Sequence, residues 1–241
     1  DRDSLIKKIS LKLEKQYPNR FFFYQRKFSE VNSIVGNKLA DAIIFDLGLS
    51  SIQLNDLKRG FSYRSKEKLD MSMGLTETSA EEALNNLTEQ KLKSIIKILG
   101  EEKDAGRIAR NIVKRRSIKK ISRVNELVEI IEKSKRKDWK SKINPSTKTF
   151  QALRIYVNKE ITELIEGIIN ATKVLKPGGK LVIVSFHSIE DKIVKFYFKN
   201  FSKNHSRTNK YLPENSNSLS LFEDYKNKII TATTKEIKRN P

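Results

Sequence analysis

The stretch that decides the fold is DAIIFDLGLSSIQLNDLKRGFSY, residues 41–63. It opens with a continuous apolar run, 42–45, which is typical of a strand buried on both faces of a parallel sheet. The run ends on Asp46, and a small polar loop follows it. That loop contains Gly48, Ser50, Ser51 and Gln53. Because open parallel sheets bind ligands at the carboxyl ends of their strands, the sequence predicts an α/β protein with a ligand site beside Asp46.

A second α/β segment lies toward the other end of the chain. It predicts an amphipathic helix at 160–175, a Lys-Pro-Gly-Gly turn, a buried strand at 180–186 and another helix at 188–201. Near the amino end, helical spacing of apolar residues predicts a helix at 4–16, and the run RFFFYQ predicts a short strand at 20–25. Helix, turn and buried strand in this order are typical of parallel crossover units.

The middle of the chain, residues 76–146, has helical patterns and no convincing strand. The patterns are SAEEALNNL, TEQKLKSIIKILG, EKDAGRIARNIVKRR and RVNELVEIIEKSKR. Ser79 and Glu82 have the spacing of a capping box at the start of the first pattern. The sequence therefore predicts an α/β domain formed by 1–75 and 147–241, with an all-helical subdomain inserted at 76–146.

The segment TKTFQALRIYVNKE follows the helical patterns and predicts one more helix. Phe150, Leu153 and Val157 share a stripe, and we expect this stripe to pack in the core. Arg154 and Asn158 lie one turn apart on a neighbouring face. They are either contacts to a ligand or RNA, or structural hydrogen-bonding groups.

Composition limits the function classes. The 241 residues carry 49 Lys and Arg against 29 acidic residues, a net charge of +20, which favours a polyanionic partner over the alternative of a generally lysine-rich surface. There are no cysteines, which excludes a thiolate metal site, and the two histidines are too few for a histidine-based zinc site. No apolar run approaches the roughly 18 residues of a membrane span. We expect a cytoplasmic protein, and we read the chain, which opens at Asp1, as a fragment.

Several polar residues are candidates for the site. Asp46 either caps its local turn or faces a ligand, while Ser50, Ser51 and Gln53 offer neutral groups that suit a nucleobase edge. His187 follows the second buried strand and is a base, a donor or a structural histidine. Asp1 either closes a strand, where an acid typically binds ribose hydroxyls, or is a helix cap. Local sequence does not decide between these two roles of Asp1.

Six motifs in one order carry a specific resemblance. They are DAIIFDLGLSSIQLNDLKRGFSY, KLDMSM, GEEKDAGRIARNIV, TKTFQALRIYVNKEI, LKPGGKLVIVSFHSIEDKIVK and KEIKRNP. Together they resemble the RsmH (MraW) family, which methylates N4 of a cytidine in the decoding region of 16S (small-subunit) ribosomal RNA with S-adenosylmethionine. The resemblance implies a Rossmann-like S-adenosylmethionine-dependent methyltransferase domain with an inserted helical subdomain. It also implies ribosomal RNA or the 30S particle as the partner, and no metal.

The resemblance also implies a cofactor site. Asp1 matches the acid that binds the cofactor ribose, and Phe28 matches the aromatic residue beside the adenine. Asp46 and Gln53 match the remaining acid and amide. At the target base, which must leave its stack to reach such a site, we rank Asp46 first and His187 second as catalytic groups. The serines behind Asp46, Ser50 foremost, are a further choice.

The basic residues of GEEKDAGRIARNIVKRR predict the RNA-binding surface. Arg107, Arg110 and Lys114 share a helical face, and Arg115 and Arg116 follow directly. We expect this surface to bind RNA phosphates without reading sequence.

Some features depart from the family pattern. The Gly-Gly-His loop expected before Asp1 lies outside the sequence, Ser72 and Gly74 stand where the family usually carries Arg and Asp, and Ile52 replaces a usual proline. One alternative is therefore a non-catalytic RNA-binding or ribosome assembly factor on a methyltransferase scaffold. A DNA amino-methyltransferase is a weaker alternative, because that group is expected to carry a Pro-Pro-aromatic loop after the strand.

Overall fold

The computed structural model describes residues 3–36, 39–135, 143–202, 221–223 and 231–240. The chain divides into two compact units, Asp1–Glu190 and Asp191–Pro241. In the part of the chain that the structure describes, no helix has the length and apolar character required to cross a membrane.

The sheet of the first unit has two described strands, β1 (Ala40–Asp46) and β2 (Leu175–Val184). They pair in parallel, and Asp46 lies opposite Val184 at their carboxyl ends. The predicted strands and their parallel arrangement are confirmed. The second strand begins earlier than predicted, at Leu175, because the Lys-Pro-Gly-Gly segment forms an irregularity within the pairing rather than a turn before it.

The prediction that these strands are buried on both faces is wrong for the described structure. Ile43 and Phe45 are buried, whereas Ile44 is 69% exposed and Val182 is 46% exposed. Side chains alternate between the two faces of a strand, so an unbroken apolar run can still place half of its members at the surface. One face of the pair is therefore covered by the rest of the described unit and the other is open.

Helices make up most of the first unit. They are α1 (Ser4–Gln16), α2 (Val31–Val35), α3 (Ser51–Asn55), α4 (Ala80–Asn86), α5 (Glu89–Leu99), α6 (Ala105–Arg116), α7 (Val124–Ser134), α8 (Thr147–Asn158) and α9 (Glu160–Val174). The predicted strand at 20–25 is wrong, because this segment is irregular: Phe22 and Tyr24 are half or more exposed, and the backbone N–H of Phe23 donates to Glu14.

A helical core forms where the sequence predicts helices without strands. Leu84, Leu92, Ile108 and Leu127 are completely buried, one from each of α4 to α7. Ser79 and Glu82 form the predicted capping box at the start of α4. The same core also includes residues on both sides of 76–146, and these are Phe61, Leu69, Met71, Met73, Phe150, Leu153 and Val157. The boundaries of the inserted subdomain stay a prediction.

The face of α8 fulfils two of the expectations. Phe150, Leu153 and Val157 are at most 5% exposed, which confirms the predicted core stripe. The Asn158 amide donates to the Met71 carbonyl, and its oxygen accepts from the Met73 N–H, both at 2.8 Å. Asn158 therefore has the structural role.

The second unit contains most of α10 (Ser188–Phe201), which confirms the predicted helix, and α11 (Thr234–Arg239). Aromatic rings pack along the far end of α10, where Tyr197 and Phe201 have centroids 4.7 Å apart and Phe198 lies 5.1 Å from Phe222. Thr233 and Glu236 form a capping box at the start of α11.

Candidate active site

The loop after β1 is shaped by hydrogen bonds that leave Asp46 out. Gly48 has a φ of 86°, a conformation that glycine adopts at low cost. Ser50 caps α3: its hydroxyl accepts from the Gln53 N–H at 3.2 Å, and the Gln53 amide oxygen accepts from the Ser50 N–H at 3.0 Å. Asp46 is exposed and accepts no hydrogen bond from any residue that the structure describes. Of the two roles open to Asp46, the turn cap therefore falls to Ser50.

A cavity of about 420 Å³ opens beside this loop. Four of the predicted site residues line it together: Phe28, Asp46, Ser50 and Gln53. Their assignment to cofactor and catalysis stays a prediction. Asp1, the fifth cofactor candidate, lies outside the described residues.

Gln53 is held in place from both ends of its amide. It is 6% exposed, and its Nε2 donates to Asp3 at 2.6 Å while its oxygen takes part in the cap. Asp3 is also buried and forms an ion pair with Arg59. Neither Asp3 nor Arg59 was predicted as a site residue from the sequence. Asp3 stands in the opening Asp-Arg-Asp, but nothing local marks the distant Arg59 as its partner.

Phe28 forms another wall of the same cavity. Its ring lies 5.0 Å from that of Phe45 and is more than a third exposed. Gly167 of α9 makes this position possible, because a Cβ at residue 167 would approach the Phe28 ring to 2.6 Å. The strand, the turn at Phe28 and α9 therefore together place an aromatic face at the cavity.

Four charged or titratable side chains form a cluster at the cavity, and two of them, Glu160 and Glu190, line it. Arg154 forms two hydrogen bonds of 2.9 Å with the two oxygens of Glu160, and His187 Nε2 lies 3.2 Å from Glu190 Oε1. Burial raises the pKa of the Glu160 carboxyl, against the lowering effect of Arg154. Burial alone also raises the pKa of Glu190, but the nearby His187 and a hydrogen bond from the Phe186 N–H lower it overall.

Glu160 and Glu190 were not predicted as site residues, since both appear in the sequence as ordinary acids in the first turn of a helix. Oxygen and nitrogen atoms of Glu160, His187 and Glu190 all lie within 4.8 Å of one another, a separation that suits metal ligation. Arg154, however, already neutralises Glu160 in the described structure. The expectation of no metal stays a prediction.

His187 does not line the cavity that contains Asp46. It lines a second cavity of about 700 Å³, together with Arg154 and residues of the Phe61–Arg64 segment. Leu49 and Phe186 line both cavities and so form part of the wall between them.

The predicted RNA-binding residues are not equivalent. Arg107, Arg110 and Lys114 are exposed on α6, as expected from their shared face. Arg107 pairs with Asp104, and Arg110 lies 3.9 Å from Glu89. Arg115 and Arg116 are half-buried: Arg115 lies 3.8 Å from Glu126, and Arg116 donates to the Leu84 carbonyl. The last two contribute contacts within the helical core, which the sequence pattern did not indicate.

The cavity at the carboxyl ends of β1 and β2 is the arrangement of an α/β enzyme that binds its ligand at the edge of a parallel sheet. The chain belongs to the MraW methylase family, whose model matches residues 1–241. The protein is therefore a methyltransferase, and its helices and small parallel sheet are compatible with an S-adenosylmethionine-dependent methyltransferase fold. The resemblance noted from the six motifs is confirmed.

Curated relatives carry consistent names. Ribosomal RNA small subunit methyltransferase H of Bartonella quintana (strain Toulouse) is 42% identical over 241 residues, which is 100% of this chain and 72% of the relative. The protein of the same name from Bartonella grahamii (strain as4aup) is 41% identical with the same coverage. The one from Brucella ovis is 38% identical over 246 residues, covering 100% of this chain and 71% of the relative.

Proposed function

We propose that this protein methylates small-subunit ribosomal RNA, using S-adenosylmethionine as the methyl donor and N4 of a cytidine in the decoding region as the acceptor. Family membership and the names of the relatives support the reaction class. The observation that carries the proposal is the cavity beside Asp46, where an unpaired carboxylate, an exposed aromatic face and a fixed amide meet.

The residues present fit the methyl donor. Four carboxylates line the cavity, from Asp46, Glu160, Glu163 and Glu190, against the two cations Arg26 and Lys27. The Oε2 atom of Glu163 is buried and has no hydrogen-bond partner in the part of the chain that the structure describes. Two of the four carboxylates are ion-paired, Glu160 with Arg154 and Glu163 with Lys27 at 3.4 Å. The formal excess of carboxylates over cations in the lining still favours a ligand with a net positive charge, as a sulfonium amino acid has. When bound, S-adenosylmethionine supplies an electrophilic methyl group.

The chain's own residues then have positioning roles. Phe28 offers its face to a purine, and the acids of the cavity accept hydrogen bonds from hydroxyl or amino groups. We assign to Asp46 the role of accepting a hydrogen bond from an amino group that becomes more acidic as it is alkylated. His187 and Ser50 remain the other catalytic candidates, but Ser50 already accepts a capping hydrogen bond and His187 lines the second cavity.

The domain arrangement belongs to the same proposal. We assign a Rossmann-like domain to 1–75 and 147–241 and an inserted helical domain to 76–146, which docks on the RNA. This division is supported by the parallel pairing of β1 with β2, and by the succession of helices from α4 to α7 with no described strand between them.

The Asp46→Asn variant tests the site. It removes the unpaired carboxylate without changing its size, and we expect donor affinity and methyl transfer to fall by about tenfold or more, the effect of losing one charged hydrogen bond. Asp41→Asn is the matched control, because Asp41 lies on the same strand, is 85% exposed and pairs only with the surface Lys176 in the described structure. Calorimetry measures donor binding, and mass spectrometry of the RNA measures N4-methylcytidine. Equal effects of the two variants would contradict the site, and RNA binding without methyl transfer by the unchanged protein would favour an assembly factor.

The exposed face of α6 has its own test. Changing Arg107, Arg110 and Lys114 together to Ala should weaken RNA binding and reduce the slope of log affinity against log salt by roughly two, at about 0.7 per phosphate contact. The control removes three positive charges elsewhere, by changing the exposed Lys7, Lys8 and Lys12 of α1 to Ala. A triple α6 variant with unchanged affinity and slope would end the proposal for this surface.

A further inference from the structure

The two neighbouring cavities have opposite charge. The first is lined by four carboxylates and two cations. The second is lined by Arg64, Arg154 and His187, and no carboxylate belongs to its described lining. Because the cavities share Leu49 and Phe186, this difference arises across a single layer of side chains.

Two residue pairs produce this difference in charge, and each pair has one member in the lining of each cavity. Glu160 lines the first cavity, and its partner Arg154 lines the second. Glu190 lines the first and His187 the second, with 3.2 Å between Nε2 and Oε1. The Glu160 and Arg154 side chains are only 9% and 17% exposed, so their charges act in a poorly screened environment. Each pair therefore turns a carboxylate to one cavity and a nitrogen side chain to the other.

The second cavity also has groups that suit a nucleobase. The half-buried Tyr63 lines it, and its ring meets that of the buried Phe150 edge to face at 6.4 Å, while Phe61 is buried as well. The amides of Asn55 and Gln151 lie in the same lining and can pair with a base edge. Bases stack on aromatic rings and their edges are recognised by hydrogen bonds, whereas phosphates are bound by arginine.

We infer that the second cavity binds a nucleoside monophosphate unit of the RNA, with its phosphate on Arg154 and Arg64, while the paired carboxylates reserve the first cavity for the cationic donor. The inference rests on the proposed function, since it names the place of the acceptor nucleotide. Glu160 engages two of the five N–H donors of Arg154, so the guanidinium can bind a phosphate and remain paired. Arg64 is exposed and supplies the second cation.

Calorimetry with three probes tests the site. Cytidine 5′-monophosphate, cytidine and inorganic phosphate are titrated into the purified protein saturated with S-adenosylhomocysteine, so that no methyl transfer occurs. We expect the monophosphate to bind about tenfold more tightly than cytidine, because charged hydrogen bonds to phosphate are added. Phosphate alone should bind more weakly than the nucleotide, because it lacks the contacts of the base. Equal affinity for cytidine and its monophosphate, or displacement of S-adenosylhomocysteine by the monophosphate, would overturn the inference.

Two variants locate the phosphate. Arg64→Gln removes the exposed cation, and the double change Arg154→Gln with Glu160→Gln removes the buried pair without leaving one charge unpaired. Each should reduce the preference for the monophosphate over cytidine by about threefold or more, with cytidine affinity retained. Arg20→Gln, an exposed arginine outside both cavities, is the control. A preference that survives in both variants would refute the assignment to Arg154 and Arg64.

The result is separable from the proposed function. A protein that methylates RNA but binds cytidine and its monophosphate equally keeps the function and loses this site. A protein that shows the monophosphate preference but no methyl transfer keeps the site and loses the function.

Discussion

The helical core and the sheet edge use their side chains in different ways. In α4 to α7 the large apolar residues are completely buried, and polar residues such as Ser79 and Glu82 satisfy helix ends. At the sheet edge Asp46 has no hydrogen-bond partner in the described structure, and Ile44 is 69% exposed. The comparison teaches that apolar burial is concentrated in the helices, whereas the carboxyl end of β1 leaves a carboxylate without a partner among the described residues.

The largest expected effect is a loss of stability in the helical core. Leu153→Ala removes a side chain that is 0% exposed, and we expect it to lower the free energy of unfolding by about 2–5 kcal/mol through lost burial and a cavity. Ile44→Ala on the sheet is the control, with an expected change within about 0.5 kcal/mol. Denaturant titration measures both, and similar losses at the two positions would contradict the division of roles.

The Gly167→Ala variant tests whether Phe28, beside the sheet, belongs to the donor site. The added methyl would meet the Phe28 ring at 2.6 Å, so the ring must move, and we expect donor affinity to fall by about tenfold, or about 1.4 kcal/mol. Gly106→Ala in α6 is the matched control, because a Cβ there meets only a Lys93 methylene at 3.7 Å. That control should raise stability by up to about 1 kcal/mol and leave donor binding unchanged. Unchanged donor affinity in Gly167→Ala would separate Phe28 from the site.

The smallest effect concerns pH. The pKa of Glu190 is lowered from its ordinary 4.5, so its ionised form stabilises the fold above pH 4.5 and this stabilisation is lost as the pH falls through the lowered value. Glu190→Gln should therefore reduce the acid-induced loss of Tm below pH 4.5, by at most about 2–4 °C. Glu129→Gln on the exposed face of α7 is the control. Identical Tm profiles below pH 4.5 for Glu190→Gln and the unchanged protein would contradict this role.

Local pattern was enough for the helices. The periodicity of apolar residues placed the helices near 4–16, 160–175 and 188–201, because an amphipathic helix depends only on the spacing of apolar residues within one segment. It failed at 20–25, where aromatic composition favours a strand but a strand also needs a neighbour to pair with. It also misjudged β1, since an apolar run does not say whether both faces will be covered.

The site divides in the same way. Asp46 and Gln53 were visible in the polar segment that follows a strand, and Phe28 was visible only through the family resemblance. Glu160 and Glu190 were not, because their roles depend on pairing with Arg154 and His187 across the fold. The capping role of Ser50 was within reach, since Ser50 and Gln53 have the capping-box spacing that identified Ser79 and Glu82.

Lys159 is the only residue between α8 and α9, and it adopts a left-handed conformation with φ 52° and ψ 34°. Helices α8 and α9 are thus joined by a single residue, and the Arg154–Glu160 pair connects their side chains across the corner. One backbone corner therefore joins Arg154, which lines the second cavity, to Glu160, which lines the first.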